Sequence, residues 1–284
     1  MRDYKELTDV DIKLILQSGS SIRVDNIDIK PYTLDEIKDY GYSKYMQSLQ
    51  LISLTVDDFV DSVNDIEKKM ILEAEKENLR TFDFYTTLGG EDFKQILLTA
   101  LSILLRTDDI RFIDSNVLAI DFMKIGVLYE DEEGYVQTDS EKLENAVESE
   151  LKLIHRDNFD EIVSVIKLQN YLMKPEESKR VDNPADEETR ALMEHMKKMR
   201  EKVEAKKRQQ QESEEESDID LADIVSAVCS KSNSINKLNI WDFTLYQVYD
   251  EYARLELIDN YIFSIKAMMA GAEKIDLRHW SSRL

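Results

Sequence analysis

The chain has 284 residues, 42% of them hydrophobic and 34% charged, and its 37 Lys and Arg against 59 Asp and Glu leave a formal charge of −22. That length is ample for a sizeable core. The acidic balance argues against nucleic acid as the main partner, because binding there works by neutralising phosphates with Lys and Arg, and an anionic membrane surface is disfavoured for the same reason.

No apolar run approaches the ~20 residues that a membrane-spanning helix requires. The N-terminal MRDYKELTDVDIK carries acids where a signal peptide would carry an apolar stretch. The single cysteine, Cys229, excludes an internal disulfide. A soluble intracellular protein is expected. No glycine stands between Gly134 and Gly271, and only Pro175 and Pro184 interrupt that span, so it is built for helix.

In SIRVDNIDIKPYTLDEI, Ile22 and Val24 alternate, Asp25-Asn26 can turn, and Ile27 and Ile29 alternate again, which predicts a small hairpin. Thr33 and Glu36 have capping-box spacing, so a helix should start near Leu34. Thr55, with Asp57 and Asp58 in the next turn, predicts a further helix running through VDDFVDSVNDIEKKMILEAEKENL. Leu88-Gly89-Gly90 breaks the chain before EDFKQILLTALSILL, the most apolar helix and the expected centre of the core. VLYEDEEGYVQ suggests a second hairpin with Gly134 at its turn. Thr138 and Glu141 repeat the capping-box spacing, and helices are expected from there to about Leu172.

From Pro175 the character changes. TRALMEHMKKMREKVEAKKRQQQ is helix-prone with only a thin apolar stripe, and it holds seven bases and two acids between Lys197 and Arg208. From Glu212 to Asp220 there are six acids and no base. Opposite charge blocks of low hydrophobicity read as a solvated helix fading into a linker. Beyond it, Ile224, Val225 and Val228 line a short helix, and CSKSNSINKLN is a loop. Trp241, Leu245, Val248, Tyr249 and Tyr252 have the spacing of a second helix. Ile258, Tyr261, Ile262, Ile265, Met268 and Met269 have that of a third, which Gly271 would cap. The fold class expected is mainly α: a helical N-terminal domain over 1–174 with one or two small β-hairpins, a charged helical linker over 175–217, and a small C-terminal helical unit over 218–284.

Chemistry is sparse in the residues. His155, His195 and His279 are the only histidines, and with one cysteine there is no metal-ligand spacing. Cys229 continues an apolar helix face and reads as a small buried hydrophobe rather than a nucleophile. Phosphate-cradling glycine motifs are absent, and Glu91 and Asp92 already place negative charge at the one Gly-Gly helix start. Asp-x-Lys triplets at Asp11–Lys13 and Asp28–Lys30 are what chance produces among so many acids and lysines. The basic block lacks the interleaved aromatics that stack on bases. No metal, cofactor or catalytic residue is therefore assigned, and the chain is not expected to be an enzyme. What remains is surface. The aromatic stripe of Trp241, Tyr246, Tyr249, Tyr252, Tyr261 and Phe263 is rich for so small a C-terminal core, and Trp, Tyr and Met are favoured where proteins bind one another. The partner face is expected to use Trp241, Tyr246, Tyr249, Tyr252, Tyr261, Met268, Met269 and Trp280.

Two stretches carry a resemblance. SINKLNIWDFTLYQVYDEYARLE, with a Trp-x-x-Thr-x-x-Gln start, leads to a helix ending AMMAGAEKIDLRHWS, with a terminal Asp-Leu-x-x-Trp. IKPYTLDEIKDYGYSKYMQSLQ, from Ile29 to Gln50, is the second. Together they resemble tail-region proteins of bacteriophages that infect Gram-positive bacteria. The resemblance implies a tail assembly chaperone that binds the tape-measure protein in the cytoplasm of the infected host. Tail-tube or baseplate proteins, and further copies of the chain by self-association, would be the other partners, and flexible spacing would let several copies engage one client. The alternatives are a structural tail or baseplate component of the virion, or an acidic inhibitor of a host protein.

Overall fold

A computed structural model describes residues 2–62, 66–114, 116–131, 134–146, 151–175, 219–272, 275 and 277–282. The architecture is mainly α with three small antiparallel sheets. Residues 176–217 of the expected linker, with its charged helix, lie outside the described residues.

The chain opens with helix α1 (Asp9–Ser18), whose Thr8 and Asp11 form a reciprocal capping box, and Gly19 ends it in the left-handed conformation at φ 69°. The predicted hairpin follows: β1 (Ile22–Val24) pairs with β2 (Ile27–Ile29) across Asp25-Asn26. Its alternation is the cause of its position. Ile22, Val24, Ile27 and Ile29 are all buried, while Arg23 and Asp28, directly opposite one another on the other face, join at 2.8 and 2.9 Å.

Helix α2 (Leu34–Tyr40) starts at the Thr33–Glu36 capping box as predicted, and α3 (Tyr42–Ile52) follows. The next predicted helix is two, α4 (Val56–Ser62) and α5 (Ile66–Glu75). The short α6 (Thr81–Asp83) runs into a π-helical turn over Phe84–Leu88, which ends at Gly89 before α7 (Gly90–Leu104). Gly89 cannot be replaced without a shift, since a Cβ there would lie 2.7 Å from the Phe84 carbonyl. An aromatic group closes this corner, with Phe59 stacked on Phe84 at 4.8 Å and Phe82 tilted against Phe159 at 5.0 Å.

Three strands between 110 and 154 were not legible. Strands β3 (Ile110–Asp114), β4 (Val117–Ile120) and β7 (Lys152–Ile154) form one antiparallel sheet in that order. The expected second hairpin is present as β5 (Leu128–Glu130) with β6 (Val136–Thr138). Helix α8 (Ser140–Asn145) is capped by Asp139, which accepts from the Lys142 N–H, rather than by Thr138. The helical run expected to reach Leu172 is broken by β7, and only α9 (Phe159–Gln169) resumes it. That helix is more deeply buried than α7: seven of its 11 residues are buried against four of 15 in α7. Its polar end is held too, as Gln169 donates to the Ile29 carbonyl at 2.8 Å and Asn170 accepts from the Tyr45 hydroxyl at 2.7 Å.

The C-terminal segment comprises α10 (Leu221–Lys231), a 3-10 turn at Ile240–Asp242 and α11 (Leu245–Met269). Two helices were expected where α11 runs as one, and Trp241 stands before it, not on it. Gly271 lies just past the helix end at φ 94°, as anticipated. Ile224, Val228, Ile240, Leu245, Tyr246 and Val248 belong to the same hydrophobic core as Ile12, Leu34 and Ile166. The small C-terminal core thus merges with the N-terminal one, because the apolar faces of α10 and α11 find α1, α2 and α9 beside them.

Arg106 pins this arrangement. Held at φ 59°, it clasps both Glu36 carboxylate oxygens at 2.6 and 2.7 Å, donates to the Pro31 carbonyl at 2.8 Å and lies 3.9 Å from the centre of the Tyr32 ring. The guanidinium, with desolvation opposing it, pulls the Glu36 carboxyl down to about 2. Arg106→Ala is expected to lower stability by about 2 kcal/mol at neutral pH in urea unfolding. Because Glu36 has its lower pKa in the folded state, its contribution is present above the unfolded value near ~4.3 and is lost as pH falls towards about 2. The gap between wild type and Arg106→Ala should narrow across that window; a gap constant from pH 6 to pH 2.5 contradicts the assignment.

Candidate protein-docking surface

The start of α11 is an anchor. In Trp241-Asp242-Phe243-Thr244-Leu245-Tyr246-Gln247, Thr244 is the N-cap and Gln247 its capping-box partner, with the Gln247 side-chain oxygen accepting the Thr244 N–H at 2.8 Å. The same Gln247 amide donates to the Gln17 carbonyl at 2.8 Å, tying α11 to the end of α1. The Leu34 N–H, at the start of α2, donates to the Phe243 carbonyl at 2.8 Å. Lys38 stands 5.4 Å from the Trp241 ring centre, and the indole N–H donates to the Lys237 carbonyl at 3.0 Å. The two stretches that carry the phage resemblance therefore meet in space.

This anchor absorbs half of the expected partner residues. Tyr246 is only 5% exposed, its ring tilted against Tyr171 at 5.5 Å, and it is a core residue, not an interface residue. Tyr249 is half-buried and stacks on Tyr171 at 5.5 Å, and Tyr252 is half-buried against the same core. Tyr171 comes from the end of the N-terminal region, so these contacts are non-local. Spacing within 218–284 could not reveal them. Trp241 keeps part of its ring in solvent.

Tyr261, Met268, Met269 and Trp280 gather elsewhere, at the far end of α11. Leu257 is the last fully buried residue of the helix. Beyond it, α11 has two distinct sides. Arg254, Tyr261, Ile265 and Met268 share the first, and the chain returns past Gly271 to cover it. Arg254 donates to the Trp280 and Ser282 carbonyls at 2.9 Å each, and the His279 ring meets Tyr261 edge-on at 5.2 Å. Met268, Leu277 and Trp280 stay exposed, at 48, 41 and 48%. The second side carries Ile262, Phe263 and Met269, which are 42, 66 and 84% exposed. Ile262, Phe263 and Leu277 were not among the expected partner residues. Which side of the helix stays open depends on where the tail lands, which the Arg254 hydrogen bonds and the Tyr261–His279 ring contact fix.

Other features offer less. A cleft of about 570 Å³ is lined by Lys5, Asp25, Asn26, Leu151, Leu153, His155 and Asn158. Its polar groups serve the fold: Asn158 donates to Asp25 and to the Leu153 carbonyl at 2.9 Å each, Asn26 to the Leu151 carbonyl at 3.2 Å, and Lys5 lies 3.3 Å from Glu161. Among the described residues no three His, Cys, Asp or Glu side chains converge as metal ligands, and no helix is long and apolar enough to cross a membrane.

Residues 207–284 match the family described as YomV second domain, which is phage-associated, and the match supports a phage protein. No curated protein and no solved structure matches the chain.

The division between anchor and exposed end makes a prediction. Tyr246→Ala should cost about 3–4 kcal/mol in chemical unfolding, as large-to-small core changes do, and Trp280→Ala less than about 1 kcal/mol. Equal losses would mean that the tail is as integral to the core as the anchor.

Proposed function

We propose that the chain is a non-enzymatic phage tail assembly chaperone that holds the tape-measure protein in the host cytoplasm while the tail is built. The observation that carries this reading is the exposed apolar end of α11 with its returning tail, on a molecule whose formal charge is −22. A tape-measure protein is long, largely helical and prone to aggregate. Its chaperone needs a charged exterior for solubility and apolar helical surface for the client. The match to a phage-associated family spans all of this surface and supports a phage protein. Met268, Leu277 and Trp280 form the face offered to the client, and Tyr261 and Arg254 hold that face in place.

The test is co-expression of the full chain with the neighbouring tail proteins, followed by affinity capture and by inspection of purified virions. The tape-measure protein is expected to co-purify, and Met268→Glu with Trp280→Ala should reduce the amount captured by about tenfold or more. The chain should be missing from mature particles. Stoichiometric presence there would replace this reading with a structural tail or baseplate component. Capture of a host enzyme and no tail protein would replace it with an acidic inhibitor.

A further inference from the structure

The open side of α11 has a pattern of its own. Asp259, Ile262, Phe263 and Lys266 stand at i, i+3, i+4 and i+7 and so share one side of the helix. Ile262 is 42% exposed, Phe263 66%, and Met269, at i+3 from Lys266, 84%. An acid begins this stripe, a base closes it, and two large apolar side chains lie between them. Turned through a two-fold axis perpendicular to the helix, the stripe complements itself. Asp259 of each copy then faces Lys266 of the other, and Ile262 faces Phe263 twice. A parallel copy would instead set acid on acid and base on base.

We infer that this side of α11 pairs with the same side of a second copy of the chain, as an antiparallel, isologous helix contact centred between Ile262 and Phe263. An apolar centre bracketed by charge is the usual anatomy of such a contact. The side chains are available for it. Asp259 is bridged to Lys231 within its own chain yet keeps 38% of its side chain exposed, room for a second cation. The Lys266 ammonium lies over its own Phe263 ring, 5.7 Å from the ring centre, close to the apolar pair it would bracket. The charge of the whole molecule favours this place as well. Copies carrying −22 each repel wherever acid meets acid, and between Asp259 and Met269 the described helix holds one acid and one base. The inference does not rest on the identity of the client, because Met268, and Trp280 through its carbonyl on Arg254, lie on the other side of the helix and stay open in the pair, giving each dimer two client faces.

Light scattering on the full chain across a dilution series reads the result directly. A species of twice the 33.2 kDa chain mass is expected. Lys266→Glu sets acid against acid at both ends of the contact, Asp259→Lys sets lysine against lysine, and each variant alone should associate at least about tenfold more weakly. Mixed together, the two variants should restore the dimer, since each supplies the charge that the other now needs. Rescue by mixing also shows that both variants are folded. A wild-type chain that stays monomeric, single variants that dimerise undiminished, or a mixture that stays monomeric would each overturn the inference. If the wild type is monomeric and Phe263→Glu abolishes capture of the tape-measure protein, this side belongs to the client instead. Loss of client capture with the dimer intact would count against the proposed function alone.

Discussion

Two helix starts meet at one joint, and the rest of the molecule is arranged around it. A helix N-terminus has backbone N–H groups with no partner inside the helix. Here α2 and α11 each satisfy theirs with a capping box, Thr33 with Glu36 and Thr244 with Gln247, and the first N–H of α2 is taken up by the Phe243 carbonyl just before α11. Neither box serves only its own helix. Glu36 is also the carboxylate that Arg106 clasps, which brings in the end of α7, and Gln247 also reaches the carbonyl at the end of α1. Four helices are therefore set relative to one another by polar groups that had to be satisfied in any case. The apolar contacts of Tyr246 and Val248 follow from that geometry.

The reading from sequence succeeded where the determinants were local. The β1–β2 hairpin, the starts of α2 and α7, the β5–β6 turn and the Gly271 stop were legible because each is written within a few consecutive residues. It failed where the determinant was a distant partner. Nothing in KLI at 152–154 distinguishes a strand from helix, and it becomes β7 because β4 offers it an edge. Asp139 displaced Thr138 as a cap by a single position, an error that spacing alone cannot avoid. The candidate site divided along the same line. Tyr246 looked available for a partner only because Tyr171, from far along the chain, could not be placed beside it.

The length of α11 is informative. Twenty-five residues span roughly 37 Å, and the shared core accounts for the helix only as far as Leu255. A helix that leaves its core ordinarily turns polar on the side it exposes. This one instead carries Tyr261, Ile262, Phe263, Ile265, Met268 and Met269 through its last turns. The chain covers part of that excess itself, by doubling back so that Arg254 can hold the tail carbonyls. The side left open is the opposite one, and its apolar residues lie between charges of opposite sign.

A projecting apolar helix is useful only if its direction is fixed, since a loosely hinged one would fold back and bury itself on its own domain. The joint supplies that constraint. With Gln247 tied to α1 and the Phe243 carbonyl to α2, and Tyr249 stacked on Tyr171, the first turns of α11 cannot pivot without breaking hydrogen bonds and unstacking rings. The Trp-x-x-Thr-x-x-Gln start thus acts one step earlier than a partner surface would. Trp241 and Tyr246 help set the start of the helix, and the residues proposed to meet another protein stand some 15 positions further along it.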